Sequence, residues 1–199
     1  MNAEDFKNGF GRILSVIEKN ENYLIELDQK NGDGDLGLSM RSGFNAVNSA
    51  LRSGDCDDLG RLMMTAASAL NENAPSSLGT ILSLGMTGMA RSLKGKRDVS
   101  TGELGEAMKS GLEVIMARAG SKPGEKTILD SLCPAVDELL AGDEQAFSRA
   151  AEKAALGSEK TKDMVACHGR AAYYAEKSLG VLDGGSVVGK LIFEALAER

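Results

Sequence analysis

Apolar residues recur along this chain with the period of an α-helix and almost nowhere with that of a strand. No other feature restricts the fold as much. Phe6, Phe10, Ile13, Leu14 and Ile17 share one helical face, as do Leu104, Met108, Leu112, Ile115 and Met116. The same spacing returns in Val187, Val188, Leu191, Ile192, Ala195 and Leu196, so that Ser186 to Leu196 reads as one continuous amphipathic helix. No stretch alternates convincingly with period two. Aromatic residues make up only 4% of the chain and Trp is absent, which removes the residue types that strands favour. Pro75 is placed like a first-turn proline, Ser100 with Glu103 like a capping box, and Asp143 after Gly142 like an N-cap. These signals predict an all-α fold of eight or nine helices in a single domain over residues 1–199. The methionines at helical spacing are expected to serve as adaptable core packing.

Charge and cysteine content narrow the function classes. A net charge of −6 opposes binding to nucleic acid or to an anionic membrane surface, since both are polyanions. Cys56, Cys133 and Cys167 are widely spaced and form no C-x-x-C pair, which argues against a disulfide framework or a zinc site and for a reducing, cytoplasmic setting. No run is long and apolar enough to span a bilayer, and the start MNAEDFKNGFGRIL lacks a signal-peptide core. Small ligands and protein partners remain.

Function is expected in the glycine-bearing breaks at 28–37, 74–79, 120–127 and 180–185, where loops held by helices can present binding groups. The segment GDGDLG at 32–37 has the spacing of a dinucleotide fingerprint, but Asp33 and Asp35 would repel a pyrophosphate and the preceding ENYLIELDQKN is helical in pattern. Asp28, Asp33 and Asp35 instead offer converging hard oxygen ligands, while Gly32, Gly34 and Gly37 free the backbone to gather them. An EF-hand fails, because its turn glycine falls on Leu36 and its bidentate Glu on Ser42. Mg²⁺ fits better, since it takes few protein carboxylates and completes its shell with water and substrate phosphates. A solvated Asp/Gly turn is the bland alternative. Residues 184–191, GGSVVGKL, imitate a P-loop, but Leu191 replaces the metal-binding hydroxyl and Lys190 falls in mid-helix. His168 is the only histidine and reads as a polar residue near a helix face.

Four segments, LDQKNGDGDLG, APSSLGTILS, PGEKTILD and GRAAYYAEKSLGVLDGG, lie in loops spread over most of the chain. Together they resemble the nucleotide-binding L subunits of dihydroxyacetone kinases, including the type that takes phosphate from the phosphotransferase system. The resemblance implies that Asp28, Asp33 and Asp35 bind two Mg²⁺ ions. It implies nucleotide contacts from Leu36, Gly37, Leu38 and Ser39 at a helix start, and from Ser77, Leu78 and Gly79 in a phosphate loop. Thr127 and Ile128 would line the adenine side, and Gly120, Arg170, Asp183, Gly184 and Gly185 would complete the nucleotide site, with Arg170 as a charge stabiliser. Four residues depart from the family pattern: Leu36 replaces His, Leu78 a phosphate-loop Ser, Glu125 an Asp and Gly184 a Pro.

The implied fold is an antiparallel barrel of eight α-helices with the nucleotide at one end. The implied activity is that of a kinase subunit holding ADP or ATP as a bound relay. Its phosphoryl group would come from a phosphohistidine protein and go to a ketose on a partner subunit. A homodimer is also among the expectations. The alternatives are a nucleotide-sensing interaction module without turnover, and an ATP-using kinase subunit for another short ketose or a lipid carboxylate.

Overall fold

Nine α-helices account for most of the computed structural model, which describes residues 1–198. They are α1 (Ala3–Lys19), α2 (Glu21–Asp28), α3 (Leu36–Ser53), α4 (Leu59–Asn73), α5 (Ser77–Ser92), α6 (Thr101–Ala119), α7 (Leu129–Leu139), α8 (Ala146–Lys160) and α9 (Gly184–Ala197). Two 3-10 segments, Thr161–Asp163 and Arg170–Ser178, interrupt the long connection from α8 to α9. Among the described residues the only β-type pairing is an isolated bridge between Asn2 and Asp98.

The ends of the helices follow local chemistry. Ser100 and Glu103 form the expected capping box, and a second one, on Asn2 and Asp5, opens α1. Two expected starts are corrected. The N-cap of α5 is Ser76, whose hydroxyl accepts from Gly79 N–H at 3.1 Å, so Pro75 stands outside the helix. Asp143 lies two residues ahead of Gln145, the residue that precedes α8. Its carboxylate accepts Gln145 N–H at 2.9 Å and pairs with Arg149 at 2.8 Å, which is a turn role and not a helix cap.

The apolar stripes of the helices meet in one continuous core. Ile17, Leu24, Met40, Phe44, Val47, Leu59, Leu70, Leu93, Leu129, Val136, Leu139 and Phe193 are its largest fully enclosed side chains, each such burial contributing about 1.5–3 kcal/mol. Met40, Met63 and Met86 are buried there as expected, whereas Met64 is exposed. Neighbours follow chain order: α3 packs on α4, α4 on α5, α5 on α6, α6 on α7, α7 on α8 and α8 on α9. α1 packs on both α3 and α9, so the circuit returns to its start, with the short α2 lying against α3. Inside the circuit is an apolar cavity of about 450 Å³, to which Phe10, Phe44, Met86, Leu112, Val136 and Ile192 contribute.

Candidate functional site

The turn between α2 and α3 is organised by a carboxylate at the end of α2. Asp28 Oδ2 accepts the N–H groups of Gly34 at 2.7 Å and Asp35 at 3.1 Å, which folds the loop back over the helix end. Gly34 has φ +80°, a left-handed conformation that its lack of a Cβ makes cheap. As a result Asp28, Asp33 and Asp35 each offer a carboxylate oxygen lying within 4.8 Å of the others. Asp28 is half-buried and the other two are exposed. The set fits a hard divalent cation: the donors are all carboxylate oxygens, two sides are open to solvent, and like charges so close call for a cation between them. The guanidinium of Arg170 reaches Asp33 from a point 137 residues further along the chain.

Four helix N-termini gather at this end of the molecule. The first residue of α3, Leu36, is buried and lies against Gly184, the first residue of α9. Ser39, in the first turn of α3, donates through its hydroxyl to Ser76 Oγ at 2.9 Å, which ties α3 to the N-cap of α5. Gly185 lies beside Ile128, which precedes α7. The first N–H groups of a helix have no partner in the helix's own bonding pattern and its start carries about half a positive charge, so the convergence of four starts favours an anion at this end even though single N–H groups on α5 and α9 are capped. The acidic loop and these helix starts thus offer a cation site beside an anion site.

The remaining expected residues divide by environment. Gly37 and Ser39 are buried in the first turn of α3 while Leu38 is half exposed. Ser77 is exposed at the start of α5, and Leu78 is partly buried and packs against the core. Gly79 is buried where any Cβ would strike the Ala74 carbonyl oxygen. Gly120 is exposed and ends α6 with φ +63°. Thr127 is half-buried and accepts Leu129 N–H through its hydroxyl at 3.2 Å.

Asp183 caps α9, its Oδ2 accepting Ser186 N–H at 2.6 Å. As a residue it keeps some solvent access, but the enclosure of its carboxyl by protein raises the pKa to about 7, against the lowering effect of Ser186 N–H. The charge of Asp130 adds to the rise and Lys126 opposes it.

Three residues at this end are given no part in the site by the sequence reading. Buried Asp130 holds the loop before α7 by accepting Gly124 N–H at 2.5 Å and Thr127 N–H at 2.7 Å. Its only signal is an acidic residue three positions after a threonine. His168 Nε2 meets Glu125 Oε2 at 2.7 Å, which holds the Glu125 carboxyl below its ordinary range. No local pattern links residues 43 apart. Lys126 is buried with φ +61°, and its only signal is its place in the segment PGEKTILD, which gives it no role.

Comparison with known proteins places the chain in one family. The family model of the DAK2 domain matches residues 30–198. The chain is 31% identical over 191 residues to "PEP-dependent dihydroxyacetone kinase 1, ADP-binding subunit DhaL" of Listeria innocua, covering 96% of this chain and 92% of that one. It is 26% identical to the corresponding DhaL subunit of Escherichia coli, covering 96% and 93%. Against the mouse triokinase/FMN cyclase it is 31% identical over 94% of its own length, but spans only 33% of that protein. Among solved structures, the dihydroxyacetone kinase of C. freundii superposes with a TM-score of 0.81 at 26% identity, over the whole of this chain and 34% of that one. The same kinase in complex with AMP-PNP and Mg²⁺ superposes with a TM-score of 0.79 at 25% identity, over 96% and 33%.

Proposed function

We propose, for a chain that belongs to the DAK2-domain family, that it is the ADP-binding subunit of a dihydroxyacetone kinase or of a kinase for a related short ketose. The observation that carries this reading is the acidic triad set beside four converging helix starts: a nucleotide polyphosphate is the ligand that needs a divalent cation and anion-binding N–H groups side by side. A relative described as ADP-binding and a structural neighbour solved with AMP-PNP and Mg²⁺ support it.

In this reading Asp28, Asp33 and Asp35 hold two Mg²⁺ ions, which supply neutralisation of phosphate charge and in-line orientation when bound. The chain's own groups do the rest. The N–H groups opening α3 and α5 take phosphate oxygens, those of Leu36, Gly37, Leu38 and Ser77 contributing backbone chemistry, while Ser39 and Gly79, whose N–H groups are held by the Asp35 carbonyl and the Ser76 hydroxyl, fix the two turns. Leu78 anchors that turn to the core. Arg170, already turned toward the triad, lends its charge to the transferring phosphoryl group. Gly120, Thr127, Ile128, Asp183, Gly184 and Gly185 border the nucleoside. The ketose lies on a partner subunit and a phosphohistidine protein of the phosphotransferase system recharges the bound ADP.

The test is the thermal midpoint of nucleotide-free protein with ADP, ATP or neither, in Mg²⁺ and in EDTA. A rise with ADP that disappears in EDTA is expected, because a ligand specific to the folded state must raise it. Absence of any shift would overturn the reading. Turnover is then assayed by mixing the protein with a ketose-binding subunit and a phosphohistidine donor.

A further inference from the structure

The Nζ of Lys126 is surrounded by four backbone carbonyl oxygens: Thr161 at 2.7 Å, Ser178 at 2.7 Å, Val181 at 2.7 Å and Met164 at 3.1 Å. Its side chain is buried, and its backbone is held at φ +61°, a conformation that non-glycine residues adopt at a cost. A neutral amine has two N–H groups and would turn its lone pair toward one of these oxygens, so the cage suits an ammonium. The four carbonyls come from both ends of one segment, residues 161–181, which lies between α8 and α9 and carries His168 and Arg170. Among the contacts within that segment are Ala166 N–H donating to Ser178 Oγ at 2.9 Å and Gly180 N–H donating to the Lys162 carbonyl at 2.8 Å. Lys126 itself sits on the loop that Asp130 braces before α7. It therefore joins two loops at the site and draws the two ends of the segment together.

We infer that Lys126 is a positioning residue that acts as a tethered monovalent cation, its ammonium filling a four-carbonyl cage that closes the 161–181 segment and so sets Arg170 against the acidic triad. The cage needs positive charge at its centre: four carbonyl dipoles pointing at one another would otherwise repel. A free monovalent cation of ammonium size meets the same need, which separates this role from ordinary side-chain packing. The link to ligand binding rests on the nucleotide reading above, while the cage itself does not.

The experiment compares the full-length wild type with Lys126→Ala, which opens a space in front of the carbonyls, and Lys126→Met, which fills the stem without charge. Amide hydrogen exchange across residues 161–183 is followed by mass spectrometry without nucleotide, in choline chloride and then in ammonium or potassium chloride at equal ionic strength. Expected are at least tenfold faster exchange at Ala166 and Gly180 in both variants in choline, recovery of Lys126→Ala in ammonium or potassium, and no recovery of Lys126→Met. Wild-type protection in Lys126→Met, or failure of either cation to rescue Lys126→Ala, would overturn the inference. Should Lys126→Ala not fold in choline, recovery of its helical circular dichroism in ammonium is the same readout with the same two meanings.

Mg²⁺-ADP affinity is titrated in parallel. About a tenfold loss in Lys126→Ala, reversed by ammonium, is expected. Unchanged affinity despite altered exchange would overturn the positioning role. A wild type that binds no ADP would sink the nucleotide reading and leave the cage to be judged by exchange alone.

Discussion

Asp33 is at once a member of the acidic triad and the partner of Arg170, so its carboxylate links the triad to the 161–181 segment. Asp33→Ala is expected to abolish the EDTA-sensitive rise of the melting midpoint with ADP while leaving the ligand-free midpoint within a few degrees, since an exposed surface change typically costs about 0.5 kcal/mol or less. Retention of the Mg²⁺-dependent shift would remove Asp33 from the metal site. Asp183 makes a prediction of the opposite kind, about protons. Its folded pKa of about 7 lies above the ordinary carboxyl value of 3.8, so between those limits the folded protein keeps a proton that the unfolded chain releases. Its contribution to stability is complete below about pH 4 and is lost as pH rises to about 7. Asp183→Asn, which can still cap α9, is expected to remove that part of the slope, read as a smaller difference in urea midpoint between pH 5 and pH 8. Asp33 and Asp35 are legible in the sequence because glycines alternate with them, and Asp28 because it lies within eight residues of both. Asp183 is legible only through the resemblance of GRAAYYAEKSLGVLDGG to the family. The proton it holds is not legible, because enclosure by Asp130, Lys126 and α9 exists only after folding.

Helices were the readable layer of this chain, and their contacts were not. The stripes of α1, α6 and α9 are visible as periodic apolar residues, and Ser100 with Glu103 marks the start of α6 without ambiguity. Pro75 and Asp143 misled because proline and aspartate favour the residues just ahead of a helix as well as its first turn, and only the placement of Ser76 and Gln145 decides between these. Close approach between helices leaves a fainter trace. At Gly37 a Cβ would strike the Glu21 carbonyl oxygen and lie 2.9 Å from Ile25, so α2 and α3 approach through the missing side chain. Gly37→Ala gains helix propensity of roughly 0.5–1 kcal/mol, but overpacking against backbone is expected to outweigh it with a net loss of about 1–2 kcal/mol. Chemical denaturation measures the loss, and the ADP shift should shrink with it because the triad hangs from the same junction. Ser100→Ala serves as the contrast: loss of the capping box should cost about 1 kcal/mol and leave the ADP shift unaltered.

Across the whole molecule the site is a property of the closed circuit, because α3, α5, α7 and α9 reach it from different parts of the chain. α9 packs on α1, α7 and α8, and removal of residues 184–199 should leave a chain without cooperative unfolding by circular dichroism. Ligand at 100 times its dissociation constant should stabilise the intact circuit by about 2.7 kcal/mol. Neighbour order of this kind was not visible in periodicity, which states that a helix has an apolar face and not which helix will cover it. It came into view only through resemblance to a family. The cavity of about 450 Å³ within the circuit has a mechanical consequence. Whatever part of that space solvent does not reach is volume the chain can surrender, and hydrostatic pressure favours whichever state occupies less. The protein should therefore unfold or take up water at lower pressure than a tightly filled helical protein of equal thermal stability. Met108→Phe, adding bulk to the lining, should raise the pressure at which tyrosine fluorescence changes, and an unchanged midpoint would mean that the space is already shared with solvent at atmospheric pressure.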